Sequence, residues 1–375
     1  AALEKLLGIY FLARICLDLF DFKPGTSMSY LLMILGSATI LFAVMMALIQ
    51  KDYKRLLSYH AVSQVGYMIL GIGTALPVGI VGGLFHMINH AMYKSCLFYT
   101  GGAVERQAGT TDLKKLGGLG RRMPVTFTCF VITAAAISGV PPLNGFFSKE
   151  LIFDGALESG TVFYIVATLG AFLTAISFLK LGHAAFLGSP TKATEHVKEA
   201  PWPMLVPMIV LAFGCVLFGV YNPLPLKYLI QPVLGARLAG ISFAGLPQNW
   251  LLVGISLAVL LLAFLDHLYG SRKTKSGLGA ADHIHYAPVL STVYGWAELR
   301  YFDIYHVGAY AIKGMSNVAL LINKGIDWFY DKFIVWLVST VSRGISKAHN
   351  GSQALYLGWV LAGVVIVIVL FMVSI

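Results

Sequence analysis

The chain has 375 residues, of which 58% are hydrophobic and only 12% are charged. Soluble domains carry about 25% charged residues, so this composition excludes a soluble domain and predicts an integral membrane protein. The formal net charge of +10 is first of all a topology signal in such a protein, and it predicts no nucleic-acid partner. Because lipid offers backbone groups no water, and the apolar runs lack period-2 alternation, the expected fold class is all-α.

The apolar runs predict about nine transmembrane helices. They cover residues 4–20, 28–49, 56–76, 78–104, 124–158, 162–187, 203–221, 249–268 and 353–374. The chain starts with Ala1 and runs straight into the first of them without a signal peptide. We therefore expect that it begins inside a longer polypeptide or assembly, with the N-terminal part missing. The four cysteines lie in apolar runs with no CxxC pair, which indicates neither a disulfide framework nor a metal cluster.

The fourth run carries three titratable side chains near its middle. His86, His90 and Lys94 are spaced at i, i+4 and i+8, so they share one face of a helix. A lysine at mid-membrane costs about 2.5–3.5 kcal/mol on insertion scales, which makes the row a candidate proton pathway. The pattern also fits two histidines bonded to neighbouring helices and a lysine that snorkels to the interface.

The fifth run, 124–158, is too long for one straight helix. Its segment 138–145 reads Ser-Gly-Val-Pro-Pro-Leu-Asn-Gly. Two prolines remove backbone donors and two glycines loosen the chain, so we expect a helix that is broken at mid-membrane. Lys149 and Glu150 follow directly and form a second buried ionisable cluster.

Basic residues predict the orientation. Thirteen Lys and Arg residues lie in loops that share one side if each run crosses once, at 51–55, 105–123, 189–202 and 269–275. The opposite loops hold three. The positive-inside rule places the thirteen in the cytoplasm and the C-terminus on the outer side, in a membrane that we expect to be the prokaryotic inner membrane.

The segment 276–352 is then cytoplasmic. From Pro288 to Ala348 aromatic and charged residues alternate, and no window is apolar enough to span. This pattern predicts one or two amphipathic helices that lie along the membrane surface or along partner subunits.

Three weaker patterns leave alternatives open. Lys180 and His183 fit snorkelling or a functional role, Arg14 and Asp18 fit an i, i+4 ion pair, and Asp282-His283-x-His285 fits a metal site or a polar surface loop. The sequence contains no flavin, haem, iron–sulfur or hydrolase pattern, so no cofactor is predicted and any redox chemistry belongs to partner subunits.

Three motifs carry a family resemblance. Residues 50–68 resemble the Q-x-D-x-K-R-x-L-A-Y-S-x-x-S-Q-x-G-Y motif of the antiporter-like subunits of respiratory complex I. His86-x3-His90-x3-Lys94 and the segment 138–150 resemble the H-x3-H-x3-K helix and the broken-helix motif of the same subunits. The broken helix, the surface helix and the final span resemble the largest, L-type subunit, as do segments 302–305 and 327–331. Membrane-bound energy-converting hydrogenases and Mrp-type sodium/proton antiporters share the superfamily.

The resemblance implies two inverted five-helix repeats. Residues 1–27 would hold the last helix of the first repeat, 28–187 the second repeat, and 188–275 additional transmembrane helices. Residues 276–352 would form the amphipathic lateral segment, and 353–375 the last transmembrane helix.

The resemblance also implies a proton pathway across the membrane centre. Its residues would be Lys5, Lys54, His86, His90, Lys94, Lys149 and Glu150. Lys54 also fits an ordinary cytoplasmic charge, and Glu150 also fits a salt bridge that pins the broken helix. Two positions depart from the family: Lys5 precedes Gly8 by three residues instead of two, and His60 replaces a Ser or Thr, where it either adds a titratable group or faces headgroups.

The implied function is proton translocation, coupled to electron transfer in partner subunits of a multisubunit complex. Na⁺/H⁺ exchange in a Mrp-type complex is the alternative, and a structural subunit with an inert titratable row is the second one.

Overall fold

A computed structural model describes residues 2–20, 23–238, 241–299, 301, 304–349 and 351–374. The chain divides into two compact units, Ala1–Asp303 and Ile304–Ile375. Within the described ranges the regular structure is helical, apart from an isolated bridge between Asp52 and Asp112. The all-α fold class is therefore confirmed for this part of the chain.

The longer helices follow one another along the chain. In chain order they are α1 (Ala2–Arg14), α2 (Ser27–Leu48), α3 (Tyr53–Gly73), α4 (Pro77–Ala108), α5 (Pro124–Ser138), α6 (Asn144–Ser159), α7 (Thr161–Gly182), α8 (Trp202–Val220), α9 (Trp250–Thr274), α10 (Pro288–Glu298), α11 (Ile304–Asp327), α12 (Val335–Ala348) and α13 (Gln353–Val373). A π-helical turn extends α1 through Leu19 and another extends α7 through Leu187.

Five of these helices are long and apolar enough to cross a membrane. They are α2, α7 with its π-helical turn, α8, α9 and α13. All five coincide with predicted spans. The other four predicted spans correspond to α1, α3, α4 and the α5–α6 pair, which are shorter, interrupted or more polar. The structure therefore supports an integral membrane protein but does not by itself confirm the count of nine.

The predicted break in the fifth run is present. α5 ends at Ser138 and α6 begins at Asn144. Gly139 caps α5 with a left-handed backbone (φ 88°), and its N–H donates to the carbonyls of Ala135 and Ala136. Only glycine adopts this conformation without strain. The break turns the carbonyl end of α5 and the amide end of α6 towards the protein interior.

Two close helix contacts depend on glycine. A Cβ at Gly36 of α2 would lie 2.6 Å from the backbone nitrogen of Leu70 in α3. A Cβ at Gly219 of α8 would lie 2.1 Å from the carbonyl oxygen of Pro142 and 2.6 Å from the nitrogen of Asn144. α8 therefore rests with its backbone directly on the break between α5 and α6.

The second unit is a long helix followed by a membrane-type helix. α11 continues through a π-helical turn, Trp328–Ile334, into α12. At 1.5 Å per residue this helix is about 68 Å long. Its apolar side chains are exposed, as expected for a helix that contacts lipid or another subunit. The predicted amphipathic helices therefore correspond to α10 and this long helix. Phe302 and Asp303, which belong to the segment 302–305 of the family resemblance, lie outside the described residues.

Glu199 fixes the start of α5 from the loop before α8. Its carboxylate accepts hydrogen bonds from the Val125 nitrogen (2.7 Å) and from the Thr126 hydroxyl (2.6 Å).

Glu199→Ala removes this carboxylate from the helix N-terminus and leaves the two donors without their acceptor. We therefore expect a loss of about 2 kcal/mol in unfolding free energy. Thermal unfolding of the detergent-solubilised protein measures it. Glu195→Ala, at an exposed position of the same loop, is the control, and equal melting of both variants would contradict the role of Glu199.

Candidate functional site

The three titratable residues of α4 lie in the interior of the first unit. His86, His90 and Lys94 are each 0% exposed. Their four-residue spacing places them on one face of α4, a helix that packs against α3, α5, α6 and α8. A lysine that snorkels keeps its ammonium in water, so the structure excludes snorkelling for Lys94.

His86 connects three helices through both of its ring nitrogens. Nδ1 lies 2.9 Å from the Ser148 hydroxyl of α6. Nε2 lies 3.1 Å from the Gln64 side-chain oxygen of α3 and 3.1 Å from the Tyr93 hydroxyl of α4. A neutral imidazole donates from one nitrogen and accepts at the other. The ring can therefore take up a proton on one side and release one on the other.

An asparagine pair joins α4 to the break. Asn89 donates to the backbone carbonyl of Asn144 (2.9 Å), and the Asn144 side chain donates back to the Asn89 side-chain oxygen (3.0 Å). The sequence pattern indicated Asn144 only as part of the break, and Asn89 was not among the predicted site residues. The available signal was the position of Asn89, three residues after His86 inside the same apolar run, because a polar amide in such a run needs a partner.

Lys149 is held by the end of α5. Its ammonium donates to the carbonyl of Ile137 (2.7 Å) and lies 5.2 Å from the centre of the Tyr67 ring. The last carbonyls of a helix lack partners within it and carry partial negative charge, so they attract a cation. The ring of Tyr67 also lies 5.8 Å from the ring of His86. The break thus supplies the acceptor for Lys149, and Tyr67 lies between Lys149 and His86.

The Glu150 carboxylate bonds α9, whereas the ammonium of its neighbour Lys149 bonds α5. Its Oε1 accepts a hydrogen bond from the Ser256 hydroxyl of α9 at 2.5 Å. Among the described residues its buried Oε2 has no hydrogen-bond partner. A cavity of about 10 Å³ touches Lys149, Glu150 and Ser256, which is enough for about one water molecule. One bridging water would therefore satisfy the free oxygen and connect the two ionisable groups.

Lys94 and His60 lie next to the ring of Phe178 on α7. The Lys94 ammonium is 5.9 Å from the centre of that ring, a cation–π distance. The ring of His60 is 4.8 Å from the same ring, and its Nε2 lies 2.7 Å from the Ser177 hydroxyl. His60 is fully buried. The headgroup-facing alternative for His60 is therefore wrong, and it adds a titratable group to the interior.

Lys54 and Lys5 are the two candidates that the structure does not bring into this cluster. Lys54 lies in the first turn of α3, just after the capping residue Asp52, and its ammonium pairs with Glu105. Its side chain is 38% exposed, which fits the alternative of an ordinary charge near the start of a helix, and its place in the proton pathway stays a prediction. Lys5 lies in α1, but its side chain is outside what the structure describes.

Residues from each of the three weaker sequence patterns have side-chain partners in the structure. Arg14 and Asp18 form the expected ion pair at 2.8 Å. His183 bonds His267 at 3.1 Å, and His283 bonds Asp266 at 2.7 Å. Within the described part of the chain no group of three or more His, Cys, Asp or Glu side chains is arranged for a metal ion.

Lys180 does not snorkel. Its side chain is buried, and its ammonium donates to the backbone carbonyls of Leu48 (2.5 Å) and Gln50 (3.1 Å). These carbonyls end α2, so Lys180 caps that helix as a cation at its negative end.

The fold is that of a helical membrane protein whose polar, titratable interior surrounds a broken helix. Residues 1–175 match the family described as NADH:quinone oxidoreductase/Mrp antiporter, transmembrane. The matched residues contain all three motifs, so the match supports their resemblance to this family.

Individual relatives come from both branches of the family. The chain is 37% identical over 214 residues to the D subunit of the Na(+)/H(+) antiporter of Alkalihalophilus pseudofirmus, a match that covers 57% of this chain and 43% of that protein. It is 28% identical over 387 residues to NADH-quinone oxidoreductase subunit L of Rickettsia bellii, covering 99% of this chain and 58% of that protein. The chain thus spans about half the length of these relatives.

The fold recurs in a solved complex. A chain of the membrane-bound sulfane sulfur reductase, an archaeal respiratory membrane complex, matches 99% of this chain with a TM-score of 0.61. That match covers 61% of the other chain. At 23% identity it shows a shared fold.

Proposed function

We propose that this chain is a proton-translocating membrane subunit of a complex I-like or membrane-bound hydrogenase-type redox complex. The observation that carries the proposal is the His86 network. It joins α3, α4 and α6 through groups that accept and donate protons, and it lies beside Lys149 at the break. Intramembrane ionisable residues are rare and usually mark a transport route.

The proposed route follows the buried groups. Protons would move among His86, His90 and Lys94, with His60 beside Lys94, and would pass to Lys149 and Glu150 near the break. A buried ammonium is costly, so a change of charge nearby changes its proton affinity. Electron transfer in partner subunits would act on the row in this way. Lys5 and Lys54 are proposed members of the same pathway.

The proposed architecture keeps the nine spans. Residues 1–27 would end one repeat, 28–187 would form the second, and 188–275 would add further spans. The segment 276–352 would lie on the cytoplasmic side against lipid or partner subunits, and 353–375 would return the C-terminus to the outer side of a prokaryotic inner membrane.

Two observations favour a redox complex over a Mrp-type Na⁺/H⁺ antiporter, the alternative function. The match to a protein named as NADH-quinone oxidoreductase subunit L extends over 99% of this chain, whereas the match to the sodium antiporter protein covers 57%. The buried row consists mainly of nitrogen groups that bind protons, while hard cations prefer several oxygen ligands.

The test uses the whole complex in sealed vesicles. We expect electron-donor oxidation to acidify one compartment independently of Na⁺, and Lys94→Gln to abolish acidification while the complex still assembles. A requirement for Na⁺ without redox dependence would instead establish the antiporter alternative. If Lys94→Gln pumps normally and deletion of 288–348 destroys assembly, the chain is a structural subunit.

A further inference from the structure

A basic pocket lies where three membrane helices end. It has a volume of about 310 Å³ and is lined by the end of α2 (Leu48), the end of α9 (Thr274) and the last turn of α7 (Lys180), and covered by the segment 276–294. Ligand sites in proteins begin at about 300 Å³. The pocket is therefore large enough for a small ligand or for the polar head of a larger one.

The charges around the pocket favour an anion. Lys51, Lys114 and Lys180 line it, against a single carboxylate, Asp282, with His285 beside them. Lys51 and Lys114 come from different loops and are exposed, whereas Lys180 is buried at 4% exposure. Three ammonium groups around one cavity repel each other, and a bound anion removes that repulsion.

Hydrogen-bond donors remain for such a ligand. The Lys180 ammonium has three N–H groups and uses two for the carbonyls of Leu48 and Gln50. Tyr294 also lines the pocket, and burial raises the pKa of its phenol to about 12, so the hydroxyl keeps its proton. A compact anion with several acceptor oxygens matches this set of donors.

We propose that this pocket binds a phosphate-bearing anion, either the headgroup of an acidic phospholipid or free phosphate. The position favours the lipid source. The pocket lies at the ends of helices that are apolar enough to cross the membrane, on the side where the basic loops 51–55 and 105–123 meet. Basic pockets between membrane helices on the cytoplasmic side bind anionic headgroups. The proposal does not depend on proton translocation.

The test compares two charge-matched double variants of the intact complex. Lys51→Gln with Lys114→Gln removes two pocket lysines and leaves Lys180 to cap α2. Lys115→Gln with Lys192→Gln removes two exposed lysines that do not line the pocket. Native mass spectrometry with added phosphatidylglycerol or phosphatidylcholine measures retained lipid, and ³¹P line broadening measures binding of inorganic phosphate.

We expect the pocket double variant to weaken retention of phosphatidylglycerol, by about fivefold for each lysine, while the control keeps it. This result assigns a lipid headgroup. Loss of phosphate broadening in the pocket variant alone, without any preference among lipids, assigns free phosphate. If the two double variants behave alike in both measurements, the pocket is an ordinary water-filled cleft and the proposal is overturned.

Discussion

Lys149→Gln is expected to lower proton pumping by roughly a hundredfold, the scale of losing a positioned proton-transfer group. Glutamine still donates a hydrogen bond to the Ile137 carbonyl, so α5 and α6 keep their contact, but it carries no proton to transfer. Lys149→Arg keeps the positive charge but holds its proton at all physiological pH values, so it is expected to pump equally poorly. Acidification of sealed vesicles during electron-donor oxidation measures both variants.

Lys115→Gln is the matched control, because Lys115 is exposed on a loop of the same protein. Normal pumping by both Lys149 variants would show that this ammonium only secures the break. Normal pumping by Lys149→Arg alone would show that the site needs a charge but not a transferable proton. Pulldown of partner subunits establishes that each variant complex is assembled.

Gly219→Ala is expected to cost about 3 kcal/mol, the upper end of overpacking penalties. The added methyl group meets the backbone of Pro142 and Asn144 at 2.1 and 2.6 Å, and a backbone cannot yield as a flexible side chain does. Either α8 or the break must move. The temperature at which the detergent-solubilised complex loses its single peak on size exclusion measures the effect.

Gly254→Ala is the matched control. It also lies in an apolar helix, α9, but a Cβ there meets nothing within 4 Å, so the substitution is expected to be neutral or slightly stabilising through better helix propensity. If both variants lose the peak at the same temperature, the contact between α8 and the break contributes nothing specific.

The sequence predicted the backbone features that depend on local chemistry. The prolines and glycines of 138–145 predicted the break, because they remove donors and permit a left-handed residue wherever the helix lies. The spacing of His86, His90 and Lys94 predicted their shared face for the same reason. The apolar run of 353–374 likewise predicted α13.

The hydrogen-bond partners of these residues could not be predicted from the sequence, because tertiary packing determines them. Nothing local to Gln64 or Ser148 indicates that both reach His86, and Ser256 meets Glu150 from a helix that lies 106 residues further along the chain. Lys54 is a similar case. The motif was recognised, but the pairing of its ammonium with Glu105, 51 residues further along the chain, is a tertiary contact that nothing local to Lys54 indicates.

The contact at Gly219 also ties the break to the thickness of the bilayer. α8 has an apolar, outward-facing surface that includes Phe213 at 62% exposure, and its 19 residues span about 28 Å, close to one hydrocarbon core. In a thinner bilayer a helix of this length tilts to match the hydrocarbon thickness. Since α8 touches the backbone of Pro142 and Asn144 without an intervening side chain, such a tilt presses on the break, which separates the Ile137 carbonyl from Lys149. Lipid composition, which sets the thickness of the bilayer, therefore acts on the segment next to Lys149.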